Sequence, residues 1–252
     1  MNMEMIITSS LDSMPGKIGF YYKNLVTGEV IKYNEKESFL AASIIKLPIY
    51  AHIMEQAYLG NVDLTEKIKI THDEYLPSCG AINLFEEEPV LTLKTMCNMM
   101  IALSDNTATN VLIRKFGIDA LNEGFRRAGF EKTHIERPLF DKIGAKEGKA
   151  NYFVPEEVAL FLEKLYNGEF VNRQVSEEII KTLKMQNINH KIPGFMEERF
   201  EVAHKTGEDT GITHDVGIVY SEKPFIIVFA SNDTDVGVME NLMRNISLHF
   251  TK

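Results

Sequence analysis

The sequence predicts an α+β fold: a five-stranded antiparallel sheet flanked by helices, joined to a mostly helical lobe, with an active site in the cleft between them. Three observations carry that expectation. Strand-forming runs sit near the two ends of the chain, the middle repeats its apolar residues at helical spacing, and the last residues return to a helical period. A hairpin of two strands is marginal in water by itself. The early hairpin must therefore pair with the late strands, which assigns residues 1–40 with 196–252 to an α/β lobe and 41–195 to a helical lobe.

The runs 18–22 and 29–33 are β-prone and are joined through Asn24-Leu25-Val26-Thr27-Gly28, a turn bearing a glycine. A helix is expected from Ser43 to about Leu59, stopped by Gly60 and Asn61, with Pro48 near enough its start for a missing amide hydrogen to be tolerated. Residues 61–85 read as short pieces and loop. Thr92 caps the next helix, whose Leu93, Met96, Met99, Met100 and Leu103 recur at helical spacing and read as core packing. Further helices are expected from Thr107 to Phe116, from Asp119 to near Gly129, from Pro155 to Asn167 and, capped by Ser176, to about Gln186. Residues 130–153 show little periodicity, a long connection of the kind that is functional or mobile in compact domains. The runs 202–204, 216–220 and 225–230 read as strands. Residues 236–250 form a terminal helix that covers the sheet through Val238, Leu242, Met243 and Ile246.

With 44% hydrophobic and 25% charged residues among 252, the composition is that of a globular protein with room for a substantial core. A net charge of −9 argues against nucleic acid or an anionic membrane as partner. A small molecule is the expected substrate, and a monomer the expected state. The first ten residues have no basic lead, and no run is long enough to span a bilayer. With Met1 as the start, the expected location is the cytoplasm. Cys79 and Cys97 lack metal spacing and are expected as free thiols, and the histidines show no H-E-x-x-H pattern for zinc.

The chemistry centres on Ser43-Ile44-Ile45-Lys46. Residues i and i+3 share one face of a helix, which puts Lys46 beneath Ser43. Among Ile44, Ile45, Leu47 and Ile49 a lysine loses hydration, its ammonium form becomes less favourable, and it can act as a base towards the serine. By itself the pair is also compatible with an N-cap and a snorkelling lysine. Ser104-Asp105-Asn106 falls between two expected helices, and Lys205-Thr206-Gly207 follows an expected strand. Each alone is ordinary capping or turn chemistry.

In this order and separation, S-x-x-K, S-D-N and K-T-G resemble the class A β-lactamases and related penicillin-binding proteins, and the resemblance runs along nearly the whole chain. It implies a β-lactamase/transpeptidase-like fold. It further implies that Ser43 attacks a carbonyl and becomes acylated, that Lys46 takes its proton directly or through water, and that Ser104 relays a proton to the leaving nitrogen while Lys205 polarises its hydroxyl. Asn106 would hold a substrate amide. Thr206 with Lys205 would bind a substrate carboxylate, on the strand that carries Gly207, and the backbone N–H groups of Ser43 and Glu208 would form the oxyanion hole. No metal or organic cofactor is implied. Asp105 reads as a structural cap for the following turn.

Three departures from the family pattern bear on function. Class A enzymes carry, in the long loop, an arginine followed shortly by a Glu-Pro pair whose glutamate activates the deacylating water. Here Arg137 is followed by Pro138 and Leu139, which leaves Glu136 and Asp141 as the nearest substitute bases. Many members also pair two cysteines, but Tyr50 stands where the partner of Cys97 would be. His214 stands near a substrate-binding arginine of many class A enzymes; facing the cleft, its charge would vary between about pH 5 and 8, and the alternative is a strand-surface histidine. The expected function is a serine hydrolase acylated at Ser43 by β-lactams and hydrolysing them, with deacylation slowed where no substitute base serves. The alternatives are an intracellular D-amino-acid peptidase or esterase on the same site, and a β-lactam-binding protein with a long-lived adduct.

Overall fold

In the computed structural model, which describes residues 3–196 and 199–252, the chain opens with a helix not expected from the sequence, α1 (Met3–Asp12). Its Ile7 and Leu11, one turn apart, are buried, and that spacing was the available signal. The hairpin β1 (Lys17–Asn24) and β2 (Val30–Tyr33) follows as expected, and then the short β3 (Phe39–Leu40). A 3₁₀ turn over Ala42–Ile45 leads into α2 (Lys46–Tyr58), so Ser43 lies one residue into the tight turn and Lys46 opens the α-helix. Pro48 stands in the first turn of α2, where the N–H groups have no helical partner. Every residue of α2 from Lys46 to Met54 is buried, as befits a helix that is apolar on all sides.

The strands β4 (Lys67–Lys69) and β5 (Val90–Thr92) pair with each other ahead of α3 (Leu93–Ala102), which Thr92 caps. The helical middle continues with α4 (Asn106–Phe116), α5 (Ile118–Ala128) and the short α6 (Lys142–Lys146) inside the long connection. The strand β6 (Tyr152–Phe153) pairs with β3 and precedes α7 (Pro155–Asn167) and α8 (Arg173–Leu183). Ser176 does not cap α8. Asn172 does, accepting from the Val175 N–H, while Ser176 is buried within the helix and donates to the Phe170 carbonyl.

The last third supplies β7 (Glu201–Asp209), β8 (Ile212–Tyr220), β9 (Phe225–Asn232) and α9 (Val236–His249). The sheet order is β2-β1-β9-β8-β7, antiparallel throughout, which is the expected five-stranded sheet. The K-T-G residues do not follow a strand: they sit inside β7, which pairs with β8 from Glu201↔Tyr220 to Asp209↔Ile212 and turns through Thr210 and Gly211 (φ +66°). One sheet face packs on α1 and α9 through Phe20, Phe229, Met239 and Met243, and the other joins the core of the helices. Burial on both faces explains why the β9 run Phe225-Ile226-Ile227-Val228-Phe229-Ala230 does not alternate with polar residues. Residues 1, 2, 197 and 198, all within the expected α/β lobe, lie outside the described residues. Among the described residues no helix is long and apolar enough to cross a membrane, and both cysteines are free.

Asp105 joins two parts of this frame. Its Oδ1 caps α4 by accepting the Ala108 N–H at 2.8 Å, and its Oδ2 accepts the Ala81 and Ile82 N–H groups at 2.7 and 2.9 Å. Gly80, at φ +121°, leaves the room that the carboxylate fills. The structural role read for Asp105 thus extends beyond its own helix to the loop at 80–82. Asp105→Ala removes the acceptor of three N–H groups and is expected to destabilise the protein by about 2–4 kcal/mol, seen as a lower midpoint in urea denaturation. An unchanged midpoint would contradict this role.

Candidate active site

Ser43 projects from the 3₁₀ turn that packs against β7, the outer strand of the sheet. Ala42, just before it, has φ +41°, a strained conformation for a residue with a side chain and typical of sites held in place by their surroundings. Gly207 permits the approach: a Cβ there would lie 3.1 Å from Ile44 and 3.3 Å from the Ala41 carbonyl oxygen.

Lys46 is fully buried. Its Nζ lies 2.9 Å from Ser43 Oγ, 2.7 Å from the Ser104 carbonyl, 3.0 Å from Ser104 Oγ and 2.8 Å from Asn106 Oδ1. Burial pushes its pKa well below the ordinary lysine value, and the nearby Lys205 charge acts in the same sense. A neutral amine has two N–H donors and one lone pair. The Ser104 carbonyl and the Asn106 amide oxygen can only accept, so they take the two N–H bonds, and the lone pair is left for a hydroxyl proton from Ser43 or Ser104.

Lys205 reaches the same serine from β7, with Nζ 3.1 Å from Ser104 Oγ and 2.9 Å from the Thr206 carbonyl. Burial lowers its pKa to about 7, against the opposing pull of Asp215. The result is a continuous path Ser43 Oγ, Lys46 Nζ, Ser104 Oγ, Lys205 Nζ with steps of 2.9, 3.0 and 3.1 Å. Asn106, at the start of α4, is fixed by donating from Nδ2 to the Pro77 carbonyl and from its backbone N–H to the Cys79 carbonyl. Five of the residues singled out by their motifs, Ser43, Lys46, Ser104, Asn106 and Lys205, are thereby brought into one hydrogen-bonded group. Thr206, Gly207 and Glu208 follow on β7, Thr206 buried and Glu208 at the cleft wall.

The cleft beside Ser43 encloses about 600 Å³. Its far wall is the long connection, tethered in ways the sequence did not reveal. Asn110 of α4 donates to the Leu139 carbonyl and accepts the Leu139 N–H, at 2.8 and 2.9 Å. Asn151 accepts from the N–H groups of Glu136 and Arg137, and Arg137 Nε donates to the Lys149 carbonyl. These tethers present Leu139 and Phe140 to the cleft, Phe140 at φ +60°. The substitute bases are engaged elsewhere: Glu136 accepts the Ala150 N–H, and Asp141 caps α6 through the N–H groups of Ile143 and Gly144. Neither lines the cleft. Cys79 does, with a free thiol.

His214 corrects another expectation. It is fully buried on β8, its Nε2 meeting the Leu40 carbonyl at 2.8 Å and its Nδ1 accepting the Ser231 N–H at 3.1 Å. Burial lowers its pKa to about 3, so it stays neutral where it was expected to titrate, and it is neither a cleft nor a surface residue.

The chain is similar to known proteins along most of its length. The chain is 26% identical over 212 residues to "Beta-lactamase BRO-1" of Moraxella catarrhalis, covering 79% of this chain and 66% of that protein, just under two thirds of its length. It is 24% identical to "Beta-lactamase VEB-1" of Pseudomonas aeruginosa over 98% of this chain and 88% of that protein. Its fold is similar to that of a mutant of PBP-A solved as an acyl-enzyme complex with penicillin G, with a TM-score of 0.87 and 24% identity over 98% of this chain and 94% of that one. A profile of the Beta-lactamase enzyme family matches residues 2–251, and the chain belongs to that family.

Proposed function

We propose that this hydrolase is acylated at Ser43 by β-lactams and hydrolyses the β-lactam amide through a covalent acyl-enzyme that clears slowly. The observation that carries the proposal is the unbroken path from Ser43 Oγ through Lys46 and Ser104 to Lys205. The neutral Lys46 accepts the Ser43 proton as Oγ attacks the lactam carbonyl, and the N–H groups of Ser43 and Glu208 stabilise the oxyanion. The ring C–N bond then breaks. Ser104 donates its proton to the departing nitrogen and regains one from Lys46, which returns the amine to its neutral state. Asn106 orients the substrate amide, while Thr206 and Lys205 receive its carboxylate. The substrate is a small molecule, and no step calls for a metal or organic cofactor.

Slow clearance follows from the wall facing Ser43. Leu139 and Phe140 are apolar, Glu136 and Asp141 are engaged by backbone N–H groups, and neither carboxylate lines the cleft. A water there has no loop carboxylate to take its proton.

Incubation with a fluorescent penicillin, followed by intact mass, is expected to show an adduct on Ser43 that outlasts acylation and is absent from Ser43→Ala. An adduct that persists in Ser43→Ala would overturn the assignment. Leu139→Glu is expected to raise turnover of a chromogenic cephalosporin by about 10²-fold, the scale of a well-placed general base, with the acylation rate little altered. Unchanged turnover in a folded Leu139→Glu protein would place the slow step elsewhere.

A further inference from the structure

Side chains alternate along a strand, so Lys205, Gly207 and Asp209 share one face of β7. On that face Gly207 lies against the turn that carries Ser43, since a Cβ there would be 3.1 Å from Ile44 and 3.3 Å from the Ala41 carbonyl oxygen. Lys205 and Asp209 therefore flank that turn, about 13 Å apart at the usual rise of a strand. The Lys205 amine reaches Ser104 at one end, and Asp209 lines the cleft at the other.

The Asp209 carboxylate differs from the other charged groups of the cleft wall. Glu208 Oε1 is 2.9 Å from the ammonium of the buried Lys191. Arg137, on the long connection, is turned into its own loop, with Nε and Nη1 donating to the Lys149 and Asp141 carbonyls. Asp209 is exposed, accepts the N–H of its neighbour Thr210 at 2.7 Å, and has no ion pair among the described residues. Ile212, its partner on β8, lines the cleft as well, as do the apolar Leu40, Leu139 and Phe140. A carboxylate at the rim of an apolar lining suits a chain with an apolar stem and a positive end.

In the proposed acylation the carbonyl is held at Ser43, the leaving nitrogen faces Ser104, and the substrate carboxylate lies towards Thr206 and Lys205. The acyl side chain then leaves in the opposite direction along β7, towards Asp209. We infer that Asp209 selects substrates whose acyl side chain ends in an ammonium group on an aliphatic stem. This deepens the proposed acylation of Ser43 and rests on it. The stem lies against Leu139, Phe140 and Ile212, and the ammonium meets Asp209 at the rim. Such a substrate carries opposite charges on the two sides of the scissile bond and is aligned by both ends of the strand. A neutral acyl chain is aligned by one end only.

The test uses two penicillins with the same ring carboxylate and the same acyl chain, hexanoyl penicillin and ω-aminohexanoyl penicillin, which differ by a terminal ammonium. Second-order rate constants for acylation are read by intact mass in the wild type, Asp209→Asn, Asp209→Glu and Asp209→Lys. The amino compound is expected to acylate the wild type about threefold faster, the scale of an exposed ion pair. Added salt is expected to shrink that advantage. It should vanish in Asp209→Asn, persist in Asp209→Glu and reverse in Asp209→Lys. The Asp209→Asn side chain keeps an oxygen for the Thr210 N–H, and a purely structural Asp209 would slow both compounds alike. Equal rates for the two compounds in the wild type, or an advantage that survives in Asp209→Asn, overturns the inference and leaves the acylation reading standing. Absence of any Ser43 adduct in the wild type overturns that reading, and the inference with it.

Discussion

Everything at this site depends on one buried amine. The protein takes the Lys46 side chain wholly out of water and surrounds its nitrogen with four oxygen atoms of Ser43, Ser104 and Asn106. An ammonium in such a place, with no carboxylate of the described residues in hydrogen-bond reach, costs several kcal/mol unless it gives up its proton. Losing the proton is the cheaper outcome, and it turns the lysine into a base next to a hydroxyl. The apolar character of α2 serves this end: Leu47, Ile49, Tyr50 and Ile53 are fully buried and keep solvent from the amine.

The other elements hold that amine's partners. The start of α4 supplies Asn106 and is pinned by Asp105, whose carboxylate also ties down the loop bearing Cys79. The edge strand β7 supplies Lys205 and, through Gly207, allows the Ser43 turn to approach. Ala42 and Ser104 both have positive φ, so strain is stored on either side of Lys46 and is sustained by the packing around it. The long connection is held by side-chain tethers from Asn110 and Asn151, which set the apolar face it presents to the cleft.

Much of this was legible in the sequence. Ser43 and Lys46 share a face because their spacing demands it, the strand runs at both ends had to meet in one sheet, and Thr92 and Pro155 marked helix starts by local chemistry alone. What could not be read depends on pairing across the chain. The strand β7 continues past His204 because β8 pairs with it, and nothing local to Lys205 reveals that. His214 is neutral because burial disfavours its charged form, and it is buried only where β8 packs against Leu40 and Ser231, which are distant in sequence. Asn110 and Asn151 look like ordinary polar residues until the loop they hold is in place. Lys191 looks like a surface lysine until β7 and β8 close over it. The helix α1 is the exception, since Ile7 and Leu11 carried a local signal that a short N-terminal stretch makes easy to pass over.

The central claim is that Lys46 is held as a neutral amine, and its ionisation can be observed directly. In protein labelled with ¹³C at the lysine ε-carbons, the Lys46 resonance can be assigned by its loss in Lys46→Arg and followed with pH. The account predicts that Lys46 loses its proton well below the ordinary lysine range, while Lys205 changes charge near 7. A Lys46 resonance that keeps its ammonium shift up to the ordinary lysine range would contradict the account, because the base proposed for Ser43 would then be absent.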